Sequence, residues 1–211
     1  FVAAMPEWRN FGLLAFTTYL GPDPLKACLP FDGSKEIHTN LLIVWVLTGF
    51  MGAAYWLVPE ESRTELHSPR LAYWSLGLWT LAGVTAVVGY LFGWTAGNKL
   101  LEQPLPVKLA IVVVMLMFLY NIGMTIWKVK RLTTTEAVLV SGLALTAILY
   151  LPALLTYDHY TVSIYYRWWP AHLCVEGVRE LVHGGPRAYR LLRLSGTPPD
   201  LQRERLYLTA S

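Results

Sequence analysis

Four stretches of this chain, 39–59, 71–94, 109–127 and 137–157, contain no Asp, Glu, Lys or Arg and are predominantly apolar. Each is about 20 residues long, the length a helix needs to cross the hydrocarbon core of a bilayer. A soluble core does not require four such runs in succession. The composition agrees: 15% of the residues are charged and 55% hydrophobic, with mean hydropathy +0.41, against roughly 25% charged in an ordinary soluble domain. These values exclude a disordered chain, a fibrous protein and a nucleic-acid-binding domain, and they disfavour a soluble enzyme. Two cysteines, Cys28 and Cys174, make neither a disulfide framework nor a thiolate metal cluster. The expected fold is all-α, a polytopic transmembrane helix bundle with about five spans.

The two ends are less regular. Residues 10–22 carry no charge but are too few to span, so they read as the end of a first helix. The chain opens on Phe1, which fits an incomplete N-terminus, and no basic segment precedes the apolar stretch as in a cleavable signal. Residues 160–181 are aromatic and apolar yet carry Arg167, His172, Glu176, Arg179 and Glu180, a fifth helix with function built in. Beyond His183 arginines recur, and Gly184-Gly185-Pro186 would break a helix. The expected organisation is one membrane domain over 1–211: a partial first helix and outer segment at 1–37, a transmembrane bundle at 38–181, and a basic cytoplasmic or interfacial tail at 182–211. Arg63, Arg70, Lys128, Lys130, Arg131 and the arginines of the tail lie on one side, while loops 95–108 and 158–167 hold only Lys99, Lys108 and Arg167. The positive-inside rule makes the first side cytoplasmic and places His38 at the outer end of its helix.

Chemistry concentrates in a few residues. His172, Glu176 and Glu180 recur at i, i+4 and i+8 and therefore line one helical stripe. Acids and an imidazole inside a membrane helix mark an ion, proton or metal path, and a nitrogen and an oxygen donor one turn apart suit iron, zinc or manganese. The plainer alternative is a helix ending in a polar interface, with Glu180 paired to Arg179 or a headgroup. His38 opens its apolar helix either as a cap or as a ligand. Gly49, Gly52, Ala53 and Ala54 below it form a close-packing face that can hold a flat cofactor or simply another helix. Glu102, in Leu101-Glu102-Gln103-Pro104, reads by default as a solvated loop acid, and Lys99 and Lys108 as ordinary interfacial charges. His67 and His159 are loop histidines with polar contacts only. Trp168 and Trp169, beside Tyr165 and Tyr166, read as an interfacial aromatic belt with room for a second task as a cofactor-pocket wall. No phosphate-binding glycine loop and no Cys-x-x-Cys-His haem attachment is present.

Several strings together resemble one family. His38-Thr39-Asn40-Leu41-Leu42-Ile43-Val44-Trp45, then Gly49-Phe50-Met51-Gly52-Ala53-Ala54-Tyr55 and Pro59-Glu60-Glu61, are similar to the second transmembrane helix of bacterial nitric oxide reductase large subunits, of the haem-copper oxidase superfamily. Glu65-Leu66-His67-Ser68-Pro69, Leu101-Glu102-Gln103-Pro104 and His172-Leu173-Cys174-Val175-Glu176-Gly177-Val178-Arg179-Glu180-Leu181 agree in order and spacing. The resemblance implies about five spans of a haem-copper oxidase-like twelve-helix fold in the bacterial inner (cytoplasmic) membrane. It implies that His38 is an axial ligand of a low-spin haem b, with Lys35 near the haem propionates. It implies that His172 and Glu176 ligate a non-haem iron facing a high-spin haem b, with Glu180 near the proton supply. The family reaction joins two NO, two electrons and two protons into nitrous oxide and water. Its electron donor is a membrane-anchored cytochrome c subunit or a quinol; its medium is the lipid bilayer, and no nucleic acid is involved.

The departures are local. Cys174 and Arg179 stand where the family has Trp, and Pro170 precedes His172 by two residues. Lys99 replaces a carboxylate that helps bind a structural calcium in the cytochrome c-dependent branch, which leaves Glu102 alone as a weak calcium ligand. The family's remaining iron histidines and other haem ligands belong to later helices, so a fragment that is inactive by itself is expected. The alternative is a non-catalytic or degenerate haem-binding membrane protein that needs His38 but not Glu176 or Glu180.

Overall fold

The computed structural model describes residues 31–97, 101–129, 133–155 and 157–172. They form five α-helices: α1 (Phe31–Ser62), α2 (Pro69–Leu91), α3 (Leu105–Val129), α4 (Thr134–Tyr150) and α5 (Tyr160–His172), with a short 3-10 turn at Leu151–Leu154. The first three are long and apolar enough to cross a membrane. The all-α expectation holds. The segments 10–22, 98–100 and 173–211, with Lys99, Cys174, Glu176, Arg179 and Glu180, lie outside the described residues.

Helix boundaries differ from expectation at points with identifiable causes. α1 begins at Phe31 with Asp32 in its first turn, where a negative charge meets the positive end of the helix dipole. His38 therefore lies about two turns inside the helix rather than at its mouth, and Lys35 and Glu36 are helical. α4 ends at Tyr150 although the apolar run continues to 157. Pro152 has no N–H to continue the ladder, so the chain tightens into the 3-10 turn, which packs on both α4 and α5.

The chain divides into two compact units. One holds the residues up to Ala53 together with Tyr73–Val114; the other holds Ala54–Ala72 and the residues from Met115 onward. In the first, Ile37 of α1, Ala82, Ala86 and Tyr90 of α2 and Val107 of α3 form a buried apolar cluster, flanked by Leu41, Val87, Ala110 and Ile111. The alanines let the helices approach closely. α2 ends in a Schellman motif: Gly93 takes φ +72° and the Trp94 N–H donates to Gly89 O at 2.8 Å, satisfying an end carbonyl. The Trp94 ring folds back so far that a Cβ on Gly89 would lie 2.9 Å from Trp94 Cε3.

In the second unit, Leu57, Val58, Phe118, Ile122, Ile126 and Leu139 are buried, and Tyr55 meets Phe118 edge-on with ring centroids 4.9 Å apart. The 63–68 connection is bonded to α3. Asn121 Oδ1 accepts from Ser68 N at 3.0 Å while Asn121 Nδ2 donates to Ser68 O at 2.9 Å. His67 N donates to Thr125 Oγ1 at 3.0 Å. The Ser68 carbonyl also accepts from Ala72 N of α2 at 3.2 Å, so the Asn121 amide supplies the one partner that helix cannot, an acceptor for Ser68 N. Thr133 and Glu136 form a reciprocal capping box at the start of α4, and Glu136, 1% exposed, also accepts from Ser62 Oγ.

Candidate functional site

The unit that contains His38 also gathers a buried polar cluster beside it. Glu36 and Asn40, one helical turn apart, share a face of α1. The loop after α2 folds back onto that face because Ala96 N donates to Glu102 O at 2.8 Å. Asn40 uses both amide hydrogens, one on Glu36 O at 2.8 Å and one on Glu102 Oε2 at 3.1 Å. Its Oδ1 accepts from Gln103 Nε2. The Thr95 hydroxyl lies 2.9 Å from Glu36 Oε1 and 3.2 Å from Glu102 O, and accepts from Gly97 N at 3.1 Å. Glu36, Asn40, Glu102 and Gln103 are all buried. Carboxylates taken out of water need such donors, because an unmet buried charge is costly.

This geometry corrects two sequence expectations. Glu102 is 4% exposed and accepts the Asn40 hydrogen bond, so it is not a solvated loop acid. Lys108 is 5% exposed, in the first turn of α3, so it is not an ordinary interfacial charge. Asn40, Thr95 and Gln103 are members of the cluster that sequence reasoning misses. The i, i+4 spacing of Glu36 and Asn40 signals a shared face, but nothing local signals that residues 95–103 return to it.

His38 is half-buried and Lys35, one turn earlier on the same side, is exposed. At i and i+3 the two side chains are neighbours on the helix surface. His38, Trp45, Gly49 and Gly52 fall on one stripe of α1. At Gly52 an added Cβ would meet nothing within 4 Å, and Gly52 and Ala53 are exposed while Ala54 is buried. Trp45 and Gly49 are half-buried, so among the described residues the small-residue face is partly covered and is open only at Gly52 and Ala53. An imidazole on an apolar helix with small residues three to four turns further along is a nitrogen donor able to take a haem iron.

In the other unit His172 ends the described part of α5. The Trp168 ring lies one turn before it, with centroids 4.0 Å apart and planes at 41°. Tyr166 stacks on Tyr157 at 5.1 Å and meets Tyr165 edge-on at 5.6 Å. Trp168 and Tyr165 are exposed, as an interfacial belt requires, while Trp168 also restricts the imidazole of His172. Glu176 and Glu180, which the sequence pairs with His172, are outside the described residues. Among the described residues, no group of three or more His, Cys, Asp or Glu side chains is close enough to hold a metal by itself. His67 keeps a modest part: its ring meets Tyr120 edge-on at 5.8 Å.

Comparison with known proteins adds two findings. Residues 10–203 match the family model described as cytochrome C and quinol oxidase polypeptide I. Over 94% of its length the chain is 42% identical to a nitric oxide reductase subunit of Stutzerimonas stutzeri, and it spans 44% of that relative.

Proposed function

This chain belongs to the cytochrome c and quinol oxidase polypeptide I family, and from that premise we propose that it is part of the catalytic subunit of a respiratory nitric oxide reductase. The observation that carries this reading is the 42% identity to a nitric oxide reductase subunit across nearly the whole chain. Its long apolar helices and its family make it a multi-pass membrane protein; the bacterial inner membrane is the site this reading assigns. The electron donor is a membrane-anchored cytochrome c subunit or a quinol.

In this reading His38 would hold the iron of a low-spin haem b through its imidazole, and Lys35, one turn earlier on the same side, would offset the charge of the haem's carboxylates. His172 and Glu176 would hold a non-haem iron, and a high-spin haem b would complete the reaction centre. When bound, the haems and the iron supply the electrons that reduce two NO to nitrous oxide and water. A carboxylate ligand adds negative charge to the iron site and favours its oxidised form. Glu180 would be the acid that keeps a proton at hand for the reaction. Trp168 limits the rotation of the His172 ring. Glu102 remains the carboxylate a structural calcium would use, with Oε2 already accepting the Asn40 amide. A haem-binding protein without catalysis would need His38 but not Glu176, and the comparisons do not favour it.

The test is a chimera in which residues 10–203 replace the matching segment of the Stutzerimonas stutzeri protein. The chimera is expected to consume NO. Glu176→Ala is expected to abolish consumption while the low-spin haem spectrum survives, and His38→Ala to remove that spectrum. A chimera that holds haem but turns over NO equally well without Glu176 overturns the assignment.

A further inference from the structure

Within the first unit, α1, α2 and α3 leave a pocket of about 30 Å³ between them. That exceeds the roughly 10–15 Å³ a single water needs. The walls are mostly apolar, from residues such as Ile43, Ala82, Ala86 and Val107, but Asn40 and Gln103 line the pocket too. Both amides are buried, each 5% exposed. Asn40 stands at the start of the charge-free run 39–59, so the pocket leads from the polar cluster into apolar surroundings.

Gln103 brings an unmet group to this place. Its Oε1 is buried and, among the described residues, has no hydrogen-bond partner. The network fixes which end of the amide is left over. Gln103 Nε2 donates to Asn40 Oδ1, and turning the Gln103 amide over would set two acceptors against each other. Turning Asn40 over instead would point its oxygen at Glu36 O and Glu102 Oε2, which are acceptors as well. The atom left over is therefore a carbonyl oxygen, and what it lacks is a donor. Folded proteins seldom leave such a buried group unmet. Beside it, Asn40 Oδ1 has a second lone pair. The donor at the inner end of the pocket is already taken: Trp79 Nε1 donates to Thr48 Oγ1 at 2.9 Å, and Thr48 donates in turn to Val44 O at 2.6 Å. What fits is a ligand the size of one heavy atom that carries two hydrogens.

We propose that this pocket is the binding site of one internal water. The water donates one hydrogen to Gln103 Oε1 and the other to Asn40 Oδ1. It completes the hydrogen bonding of an amide that the returning loop carries into an apolar setting. Val44 and Val107 beyond it give a second water nothing to hold, so the site is a socket and not a passage. The water site needs no NO chemistry, so its failure leaves the functional reading standing.

The experiment is X-ray radiolytic labelling of the full chain in discs of its own membrane, with the oxidised residues located by mass spectrometry. A bound water ionised in place yields a hydroxyl radical that modifies only the side chains next to it. Val107 and Val114 make the comparison. Both are valines of α3, 4% and 2% exposed, and of the two only Val107 lines the pocket. The expected result is modification of Val107 several-fold above that of Val114. Heavy-oxygen water added just before the pulse separates a bound water from bulk solvent: the hydroxyl on the Trp79 ring, which lines the pocket, should stay light while that on exposed Phe92 turns heavy. Val107 modified no more than Val114 means a dry pocket and overturns the proposal. Heavy oxygen reaching Trp79 as fast as Phe92 means an open inlet and overturns it too. Both measurements use the unaltered chain, so a misfolded variant cannot blur them. Ala86→Val then fills the pocket from α2 without touching either amide. Modification of Val107 should fall to the Val114 level, and modification that persists in folded Ala86→Val refutes the site.

Discussion

Asn40→Ala should destabilise the chain more than any other single polar substitution on α1. Asn40 ties two buried side chains of the returning loop to the helix. Its Nδ2 donates to Glu102 Oε2 at 3.1 Å and its Oδ1 accepts from Gln103 Nε2. The third bond, to Glu36 O, contributes least because that carbonyl is also in the helix ladder. Removing a hydrogen bond to a buried carboxylate costs about 1.5–3 kcal/mol, and stranding the Gln103 amide costs about 1–3 kcal/mol more. Among the described residues Gln103 Oε1 already has no partner, so the amide has no second anchor. The total expected loss is about 2.5–6 kcal/mol. The assay is unfolding in mixed detergent micelles followed by circular dichroism, for Asn40→Ala, Glu102→Ala and the double variant. Direct contact predicts a coupling energy of about 1.5–3 kcal/mol between the two sites. Glu65→Ala, at an exposed position, is the control and should stay within about 0.5 kcal/mol. Additive effects of Asn40→Ala and Glu102→Ala, with coupling below about 0.5 kcal/mol, would refute the buried bond.

Two glycines of α2 should respond oppositely to alanine. At Gly83 a Cβ would sit 3.5 Å from Val44 Cγ2, ordinary contact, so Gly83→Ala should stabilise by up to about 1 kcal/mol through helix propensity. At Gly89 the Cβ would lie 2.9 Å from the Trp94 ring, so Gly89→Ala should cost about 1–3 kcal/mol and shift tryptophan emission; equal melting temperatures for the two variants would contradict the close approach. Arg63 follows α1 at φ +49°, with Thr64 N donating to Pro59 O at 3.2 Å. Arg63→Gly should therefore stabilise by about 0.5–1 kcal/mol, relief of left-handed strain exceeding the added chain entropy, and a lowered melting temperature would count against that cap. Glu136→Ala strands Ser62 Oγ and Thr133 N and should cost about 2–4 kcal/mol, well above Ser62→Ala in the same unfolding assay.

What is legible in the sequence is one-dimensional. The charge-free runs locate α1, α2 and α3 because their cause, transfer of about 20 residues from water to hydrocarbon, acts on each segment alone. Thr133 and Glu136 are legible in principle, since Thr-x-x-Glu before an apolar run is a capping box, but the bond from Glu136 to Ser62 spans 74 positions. Glu102 and Lys108 defeat sequence reading for the same reason: whether a loop charge is solvated depends on what folds over it. The bond from Asn40 crosses 62 positions, and no local pattern records it. Pro152 is in plain view, and it marks the end of α4 for a reader who weighs it against the apolar run.

The bonding of the 63–68 connection to α3 has a consequence for the order of assembly. Ser68 and Asn121 are separated by 53 positions. At about 5–20 residues per second of synthesis, the ribosome needs about 3–10 s to deliver the partner after the loop has emerged. Throughout that interval the His67 and Ser68 N–H groups, whose partners are Thr125 and Asn121 of α3, must keep their water. The α1–α2 pair is therefore born with a wet hinge, which dries only when α3 arrives. A change that slows the insertion of α3 lengthens the wait, and the nascent chain is exposed there to proteases before any cofactor enters.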